Sequence, residues 1–173
     1  MWCAGWPTFA RTSAARRKPV AHRAAALPQV ADLPRYESDA WCFGCGEANG
    51  QGLRLAFRRT GPGVVECTYQ APEHLCGAKT VVHGGIQATI LDEVMGKAIQ
   101  AGLPPELAGR RTVTADFSLR YRQPAPMGEP LTARAEFVRL DGANIFVKAT
   151  LLDREGNELT IAEARWKLLA TMR

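Results

Sequence analysis

The 173-residue sequence lacks the features that mark several large classes of protein. No run approaches the roughly eighteen consecutive apolar residues of a membrane-spanning helix, so we expect no membrane span. There is no internal repeat and no low-complexity stretch. Apolar residues make up 46% and charged residues 23% of the chain, which is the balance of a globular protein with a buried core. The length fits one domain and a tail.

Acidic residues are almost absent from the beginning of the chain. Residues 1–35 contain six basic residues and one acidic residue, whereas the rest of the chain is neutral overall. The net charge of +5 therefore does not indicate nucleic-acid binding by the folded part. Residues 1–35 also lack the continuous apolar stretch of a secretory signal. We expect residues 1–35 to be a disordered basic tail and residues 36–173 to form one domain. We expect a cytoplasmic protein, or a mitochondrial one if the tail is a transit peptide.

Cysteines are few, and their number is odd. Five cysteines without a secretion signal favour reduced thiols. Cys42 and Cys45 form one C-x-x-C pattern, with His74 and Cys76 as distant candidate ligands. A structural zinc site needs four well-placed ligands. The pattern therefore favours a tight glycine-rich turn with partly buried thiols, and we expect no metal and no cofactor.

Alternating apolar and polar residues predict the strands. The first runs from Leu53 to Phe57, and a Gly-Pro-Gly turn joins it to GVVECTYQA as a hairpin. Four more strands follow: TVTADFSLRYRQP, LTARAEFVRL, ANIFVKATLLD and LTIAEARWKLLA. Their short connections indicate antiparallel pairing. One helix, from about residue 84 to 101, is apolar around most of its circumference. The prediction is an α+β fold, with an antiparallel sheet of about six strands around one long central helix.

The start of this helix carries the candidate chemistry. His83, Gly84 and Gly85 precede its first turn, where free backbone N–H groups favour negative charge and glycine lets a ligand approach. An oxyanion hole for acyl transfer needs such donors. Asp92 follows Gly85 on the same helix face, about 10 Å along the axis. A carboxylate in an apolar helix is rare unless it is partnered or functional, whereas Glu93 is expected to be exposed. A tight helix entry, a hydrogen-bonded histidine and an Asp–Arg pair are the structural alternatives.

The segment VVHGGIQATILDE resembles the helix signature of the hotdog-fold acyl-coenzyme A thioesterases. WCFGCGEANGQGLRL and RRTVTADFSLRYRQPAPMGEPL resemble the flanking segments of one branch, the phenylacetate-pathway-type and thioesterase-superfamily-member-like proteins. The resemblance extends from about Trp41 to the C-terminus. It implies a hotdog fold and hydrolysis of acyl-CoA to free acid and coenzyme A. It also implies a homodimer or homotetramer with shared active sites.

The resemblance also implies roles for individual residues. Asp92 would be the general base or nucleophile, and Gly85, with Gly84, would donate backbone N–H groups to the oxyanion. His83 would position the substrate and Thr114 a water molecule. Simple alternation puts Thr114 on the polar face of its strand, so a bulge or a subunit edge must bring it to the site. Candidates for the phosphates of coenzyme A are Arg120, Arg122 and Lys148.

One departure from the family pattern keeps other functions open. Many relatives have Asn or Gln six residues before the histidine, where this chain has Gly77. A non-catalytic hotdog protein that binds acyl groups or acyl-CoA is therefore an alternative. A hotdog hydratase or dehydratase is a further one, but its Asp and His stand five residues apart. No aspartate precedes any of the three histidines at that spacing.

Overall fold

The computed structural model describes residues 37–170, so the tail expected at residues 1–35 lies outside it. The described part contains one α-helix, three short 3₁₀ turns and eight strands. The 3₁₀ turns are Glu37–Trp41, Glu73–Leu75 and Pro105–Leu107. The other elements, in chain order, are β1 (Phe57–Gly61), β2 (Val64–Gln70), β3 (Cys76–Ala78), β4 (Val81–Val82), α1 (Gly84–Gly102), β5 (Thr112–Tyr121), β6 (Pro130–Asp141), β7 (Asn144–Leu152) and β8 (Glu158–Leu168).

Six of the strands form one antiparallel sheet in the order β1-β2-β6-β7-β8-β5. α1 packs against one face of this sheet, mainly on β6, β7 and β2. The sheet order leaves β1 and β5 as its edges. The predicted architecture, an antiparallel sheet of six strands with one long central helix, is confirmed.

The core lies between α1 and the sheet. Between residues 90 and 99 the helix contributes fully buried apolar side chains: Ile90, Leu91, Val94, Met95, Ala98 and Ile99. Facing them, the strands carry several small buried residues, which let the helix lie close to the sheet: Ala133, Ala135, Ala149, Ala162 and Ala164. Among residues 37–170, no helix has both the length and the apolar character needed to cross a membrane.

The strand predicted from Leu53 to Phe57 begins four residues too early, because residues 53–56 lie outside β1. Leu53 and Leu55 are buried, as the alternation indicates, but the ladder with β2 begins at Phe57. The N–H groups of Leu53 and Leu55 instead donate to the carbonyl oxygens of Phe43 and Gly44, at 2.8 and 2.9 Å. Between the two leucines, Arg54 has a φ of 52°, which breaks the extended conformation of a strand. These residues therefore hold the preceding C-F-G-C-G loop against the domain.

Candidate active site

His83 caps the first turn of α1. Its ring Nδ1 accepts a hydrogen bond from the backbone N–H of Gly85 at 2.9 Å. The backbone N–H of His83 donates to the carbonyl oxygen of Leu75 at 3.0 Å. An accepting Nδ1 requires a neutral ring with its proton on Nε2. The N–H expected to bind an oxyanion is thus bonded to His83 in this state. A substrate oxygen at Gly85 would have to replace His83 Nδ1 as the acceptor.

The end of β5 is attached to the start of the helix through Tyr121. The Tyr121 hydroxyl donates to the carbonyl oxygen of Gly84 at 2.9 Å. A Cβ on Gly84 would lie 3.2 Å from that hydroxyl, so a residue without a side chain suits this close approach. Tyr121 was not among the sequence-predicted site residues, although its place at the end of β5 left it available for a contact beyond the sheet.

The buried polar residues Gln87 and Thr160 also hold the start of α1 in place. Gln87 is buried, and its Nε2 donates to the Val82 carbonyl at 2.9 Å. Its Oε1 accepts from the hydroxyl of Thr160, also buried, at 2.6 Å. Both groups are therefore satisfied despite their burial. Sequence reasoning missed this pair, for which the signal was a glutamine at a core-facing position of α1.

Gly77 lies against His83. A Cβ built on Gly77 would be 3.0 Å from Cα and 3.5 Å from Cβ of His83. An Asn or Gln side chain there would require His83 to shift. The packing around Gly77 therefore suits glycine and leaves little room for the Asn or Gln that many relatives have at this position.

Asp92 and Thr114 meet across α1 and β5. The Thr114 hydroxyl donates to Oδ1 of the half-buried Asp92 at 2.8 Å. The contact depends on a β-bulge, since Thr114 pairs with Trp166 while Asp116 pairs with Arg165, leaving Ala115 as the extra residue. The extra residue reverses the alternation and turns Thr114 towards the helix. The bulge named as one way to bring Thr114 to the site is present.

The environment of Asp92 favours a basic carboxylate. Burial raises its pKa, the hydrogen bond from Thr114 lowers it, and the neighbouring charge of Glu93 raises it; the net change is upward. A carboxylate with a raised pKa is a stronger base and holds a transferred proton better.

The candidate phosphate-binding residues lie in ion pairs or away from the helix. Arg122 pairs with Glu158 at 2.7 Å, and Lys148 pairs with Glu136 at 3.1 Å. Arg120 is in register with Ile161, which alternates with residues that face α1, so Arg120 lies on the opposite face of the sheet. Within the chain, the fold brings neither Arg120 nor Lys148 to Asp92.

Glu93 is half-buried, so the expectation that it is exposed is wrong. Its carboxylate accepts a hydrogen bond from the Cys42 thiol at 3.1 Å, and the Cys45 thiol lies within 4.8 Å of it. Burial and the Glu93 carboxylate raise the pKa of the Cys45 thiol. The two thiols are partly buried in a tight glycine-containing turn, which confirms that part of the prediction. The potential ligand atoms of Cys42, Cys45 and Glu93 lie within 4.8 Å of one another, in a group that contains neither His74 nor Cys76.

The region that carries the site matches a known family. The family model described as the thioesterase superfamily matches residues 79–160, from the turn before α1 into β8. Three curated relatives are verlamelin biosynthesis protein B of a Lecanicillium species, acyl-coenzyme A thioesterase THEM4 of rat and human acyl-coenzyme A thioesterase 13, at 26%, 28% and 27% identity. The matches cover 57%, 50% and 65% of this chain. They span 53%, 35% and 76% of the respective relatives, so the chain covers about half or less of the first two.

Solved structures show the same architecture. A thioesterase superfamily protein of known crystal structure is 25% identical, with a TM-score of 0.65 over 82% of this chain and 70% of that one. A Streptococcus mutans protein crystallised with acetyl CoA is 18% identical, with a TM-score of 0.59 over 69% of this chain and 88% of that one. The family match covers α1 and the strands that follow it, and these likenesses show that the chain has the hotdog fold and is similar to proteins of the thioesterase superfamily.

Proposed function

We propose that this protein hydrolyses acyl-coenzyme A thioesters to free acid and coenzyme A, with Asp92 as the general base or nucleophile. The observation that carries the proposal is the half-buried Asp92 carboxylate, held by the Thr114 hydroxyl at 2.8 Å on the helix that begins at Gly84 and Gly85. The relatives named acyl-coenzyme A thioesterases support the reaction, and the neighbour crystallised with acetyl CoA supports the ligand class.

For this hydrolysis the protein needs to supply only a base or nucleophile and an oxyanion donor. As a base, Asp92 takes a proton from water, and the resulting hydroxide adds to the thioester carbonyl. The Gly85 N–H stabilises the negative oxygen of the tetrahedral intermediate. The C–S bond then breaks, and the coenzyme A thiolate takes up the proton from Asp92. As a nucleophile, Asp92 would first form an anhydride that water hydrolyses, with the same overall products.

His83 has a defined part in this scheme. Its Nδ1 occupies the acceptor position of the Gly85 N–H before substrate binds. When the thioester oxygen takes that position, the ring is released and its Nε2–H becomes free to turn towards the substrate. His83 is thus a positioning residue at the oxyanion site.

The site requires a second subunit. Gly85 and Asp92 are seven residues apart on α1, about 10 Å along its axis, which is too far for one carbonyl to contact both groups. Two antiparallel helices related by a two-fold axis would bring Gly85 of one protomer near Asp92 of the other. In this protomer His83, Gly85 and Thr114 are exposed. The ten-residue strand β5 pairs with β8 on one side and has no partner strand on the other among residues 37–170. A long open edge is a template for pairing with another chain. We propose a homodimer, or a homotetramer built from such dimers.

The decisive experiment measures release of free coenzyme A from a panel of acyl-CoAs of different chain length and of aryl type. Hydrolysis of at least one thioester well above the buffer rate is expected. Binding of acyl-CoA without thiol release would overturn the proposal and favour a non-catalytic binding protein. Addition of water to an enoyl-CoA without thiol release would favour a hydratase.

A further inference from the structure

A cluster of three metal-ligating side chains lies outside the Asp92–Thr114 pair. The Cys42 and Cys45 thiols and the Glu93 carboxylate have their ligand atoms within 4.8 Å of one another, and all three residues are half-buried. Glu93 is followed along one stripe of α1 by Gly96, Lys97 and Gln100, at spacings of three, four and seven residues. Asp92 lies on the adjacent stripe. The cluster is therefore a neighbour of the proposed active site and not a part of it.

The loop that carries the two thiols is shaped to close over Glu93. A Cβ on Gly44 would lie 2.2 Å from Cγ of Glu93, so any other residue at this position would displace the carboxylate. The N–H of Gly46 donates to the Cys42 carbonyl at 2.9 Å, which makes the turn between the thiols tight. A Cβ on Gly46 would lie 2.5 Å from the Cys42 backbone nitrogen. Because neither glycine has a side chain, both thiols of C-F-G-C-G can lie close to the Glu93 carboxylate.

The donor set suits Zn²⁺. Zinc is bound by thiolates at about 2.3 Å and by carboxylate oxygens at about 2.0–2.2 Å in tetrahedral geometry, which puts neighbouring donors roughly 3.5–4 Å apart. Ligand atoms already within 4.8 Å reach that geometry through small side-chain rotations. Two thiolates and a carboxylate carry three negative charges, which Zn²⁺ and the nearby ammonium group of Lys97 balance. Lys97 lines the same cavity as Cys42, Cys45 and Glu93.

The cluster borders a cavity with unsatisfied polar groups. The cavity, of about 160 Å³, is lined by the cluster and by Lys97, Gln100 and Trp166, among others. Trp166 is 8% exposed, and its indole N–H finds no hydrogen-bond partner among residues 37–170. Within the same described range, the Gln100 side-chain oxygen also has none. A polar occupant of the cavity, such as a metal-bound water, would satisfy such groups.

We propose that Cys42, Cys45 and Glu93 bind one Zn²⁺ ion whose fourth coordination position faces this cavity. Binding releases the thiol protons to solvent, replaces the S–H contacts to Glu93 by metal–ligand bonds and fixes the loop to α1. The site does not depend on the proposed hydrolysis, because its ligands are distinct from Asp92, Thr114 and Gly85.

The test is zinc binding by the full chain under reducing conditions. The protein is stripped with a chelator, and ZnCl₂ is titrated back with metal content measured by mass spectrometry. One zinc per chain is expected. The Cys42→Ser/Cys45→Ser variant and Glu93→Gln should each bind at least about 100-fold more weakly, the upper end of what the loss of an outer partner costs. Cys76→Ser, which changes an exposed thiol outside the cluster, is the matched control and should bind like wild type.

A second measurement on the unaltered protein guards against variants that fail to fold. Zinc should protect Cys42 and Cys45 from alkylation and leave Cys76 reactive, and Co²⁺ in its place should give thiolate-to-metal charge-transfer absorption. Equal alkylation of all three with and without zinc would overturn the proposal. So would zinc binding that survives the double serine substitution. Mild oxidation that joins Cys42 to Cys45 in a reduced protein unable to bind zinc would assign the pair to thiol redox chemistry instead.

Discussion

The hydroxyl of Thr114 donates a 2.8 Å hydrogen bond to Oδ1 of Asp92, and so joins an edge strand to the central helix. The hydrogen bond occupies one carboxylate oxygen. Among residues 37–170 no hydrogen bond to the other is seen, so in the proposed reaction this oxygen would take the proton or attack. Because the hydroxyl donates to Asp92, its own lone pairs stay available to hold a water molecule beside the carboxylate. In the proposed reaction, this one contact would orient the base and leave a place for the attacking water.

Replacement of Asp92 by asparagine should reduce kcat for acyl-CoA hydrolysis by at least about 100-fold, the low end for a positioned acid–base group. Asparagine keeps the shape and still accepts from Thr114, but it cannot take up a proton or attack the thioester. Asp141→Asn removes an exposed carboxylate at the β6–β7 turn and serves as the matched control. Steady-state kinetics and circular dichroism of both variants check the prediction. Equal rates for the two variants would remove Asp92 from the mechanism.

The effect of the Thr114 hydroxyl can be measured separately from the effect of the side chain's volume. Thr114→Val has nearly the same shape but cannot donate to Asp92, so kcat should fall roughly tenfold, as expected for the loss of a hydrogen bond to a charged group. Thr114→Ser keeps the donor and should restore most of the activity. The comparison of kcat for the two variants is the measurement. If valine is as active as serine, the hydroxyl has no part in catalysis.

The sequence predicted the helix and the later strands well because each has a strong local period. α1 begins at Gly84 as expected and ends one residue beyond the expected boundary. The direction of the Thr114 side chain could not be predicted in this way. It depends on the β-bulge at Ala115, which interrupts an otherwise regular alternation. No residue type marks that bulge. The contact between Cys42 and Glu93 joins residues 51 positions apart, so periodicity carries no information about it.

The same limit explains the error at the first strand. Leu53 and Leu55 are buried with strand-like alternation, but their backbone hydrogen bonds go to the C-F-G-C-G loop and not to β2. The pattern of apolar side chains indicates which residues face the core, but it does not indicate which backbone groups they form hydrogen bonds with. For the same reason, Gly85 could be predicted as an oxyanion donor from its place at the helix start, whereas the hydrogen bond from its N–H to His83 Nδ1 could be found only in the structure.

The cap at the start of α1 makes a prediction about stability. His83→Ala removes the acceptor of the Gly85 N–H and should lower the free energy of unfolding by about 0.5–2 kcal/mol, the usual cost of losing an N-cap side chain. His83→Asn should recover much of this loss, because asparagine is a strong N-cap residue. Urea unfolding followed by circular dichroism measures both. An alanine variant as stable as wild type would show that His83 contributes no cap in solution.

The shared site can be tested by mixing two inactive chains. Asp92→Asn removes the base, and Gly85→Pro removes the N–H that would bind the oxyanion, so each homodimer should be inactive. When the two chains are unfolded together and refolded, half of the random dimers are hybrids. In each hybrid, one site combines the intact Gly85 of one protomer with the intact Asp92 of the other. Activity should recover to roughly a quarter of wild type. Native mass spectrometry of chains with different tags establishes that hybrids have formed. Hybrids as inactive as their parents would show that Gly85 and Asp92 act within a single protomer, and the 10 Å between them would then have to be bridged by a movement of the helix start.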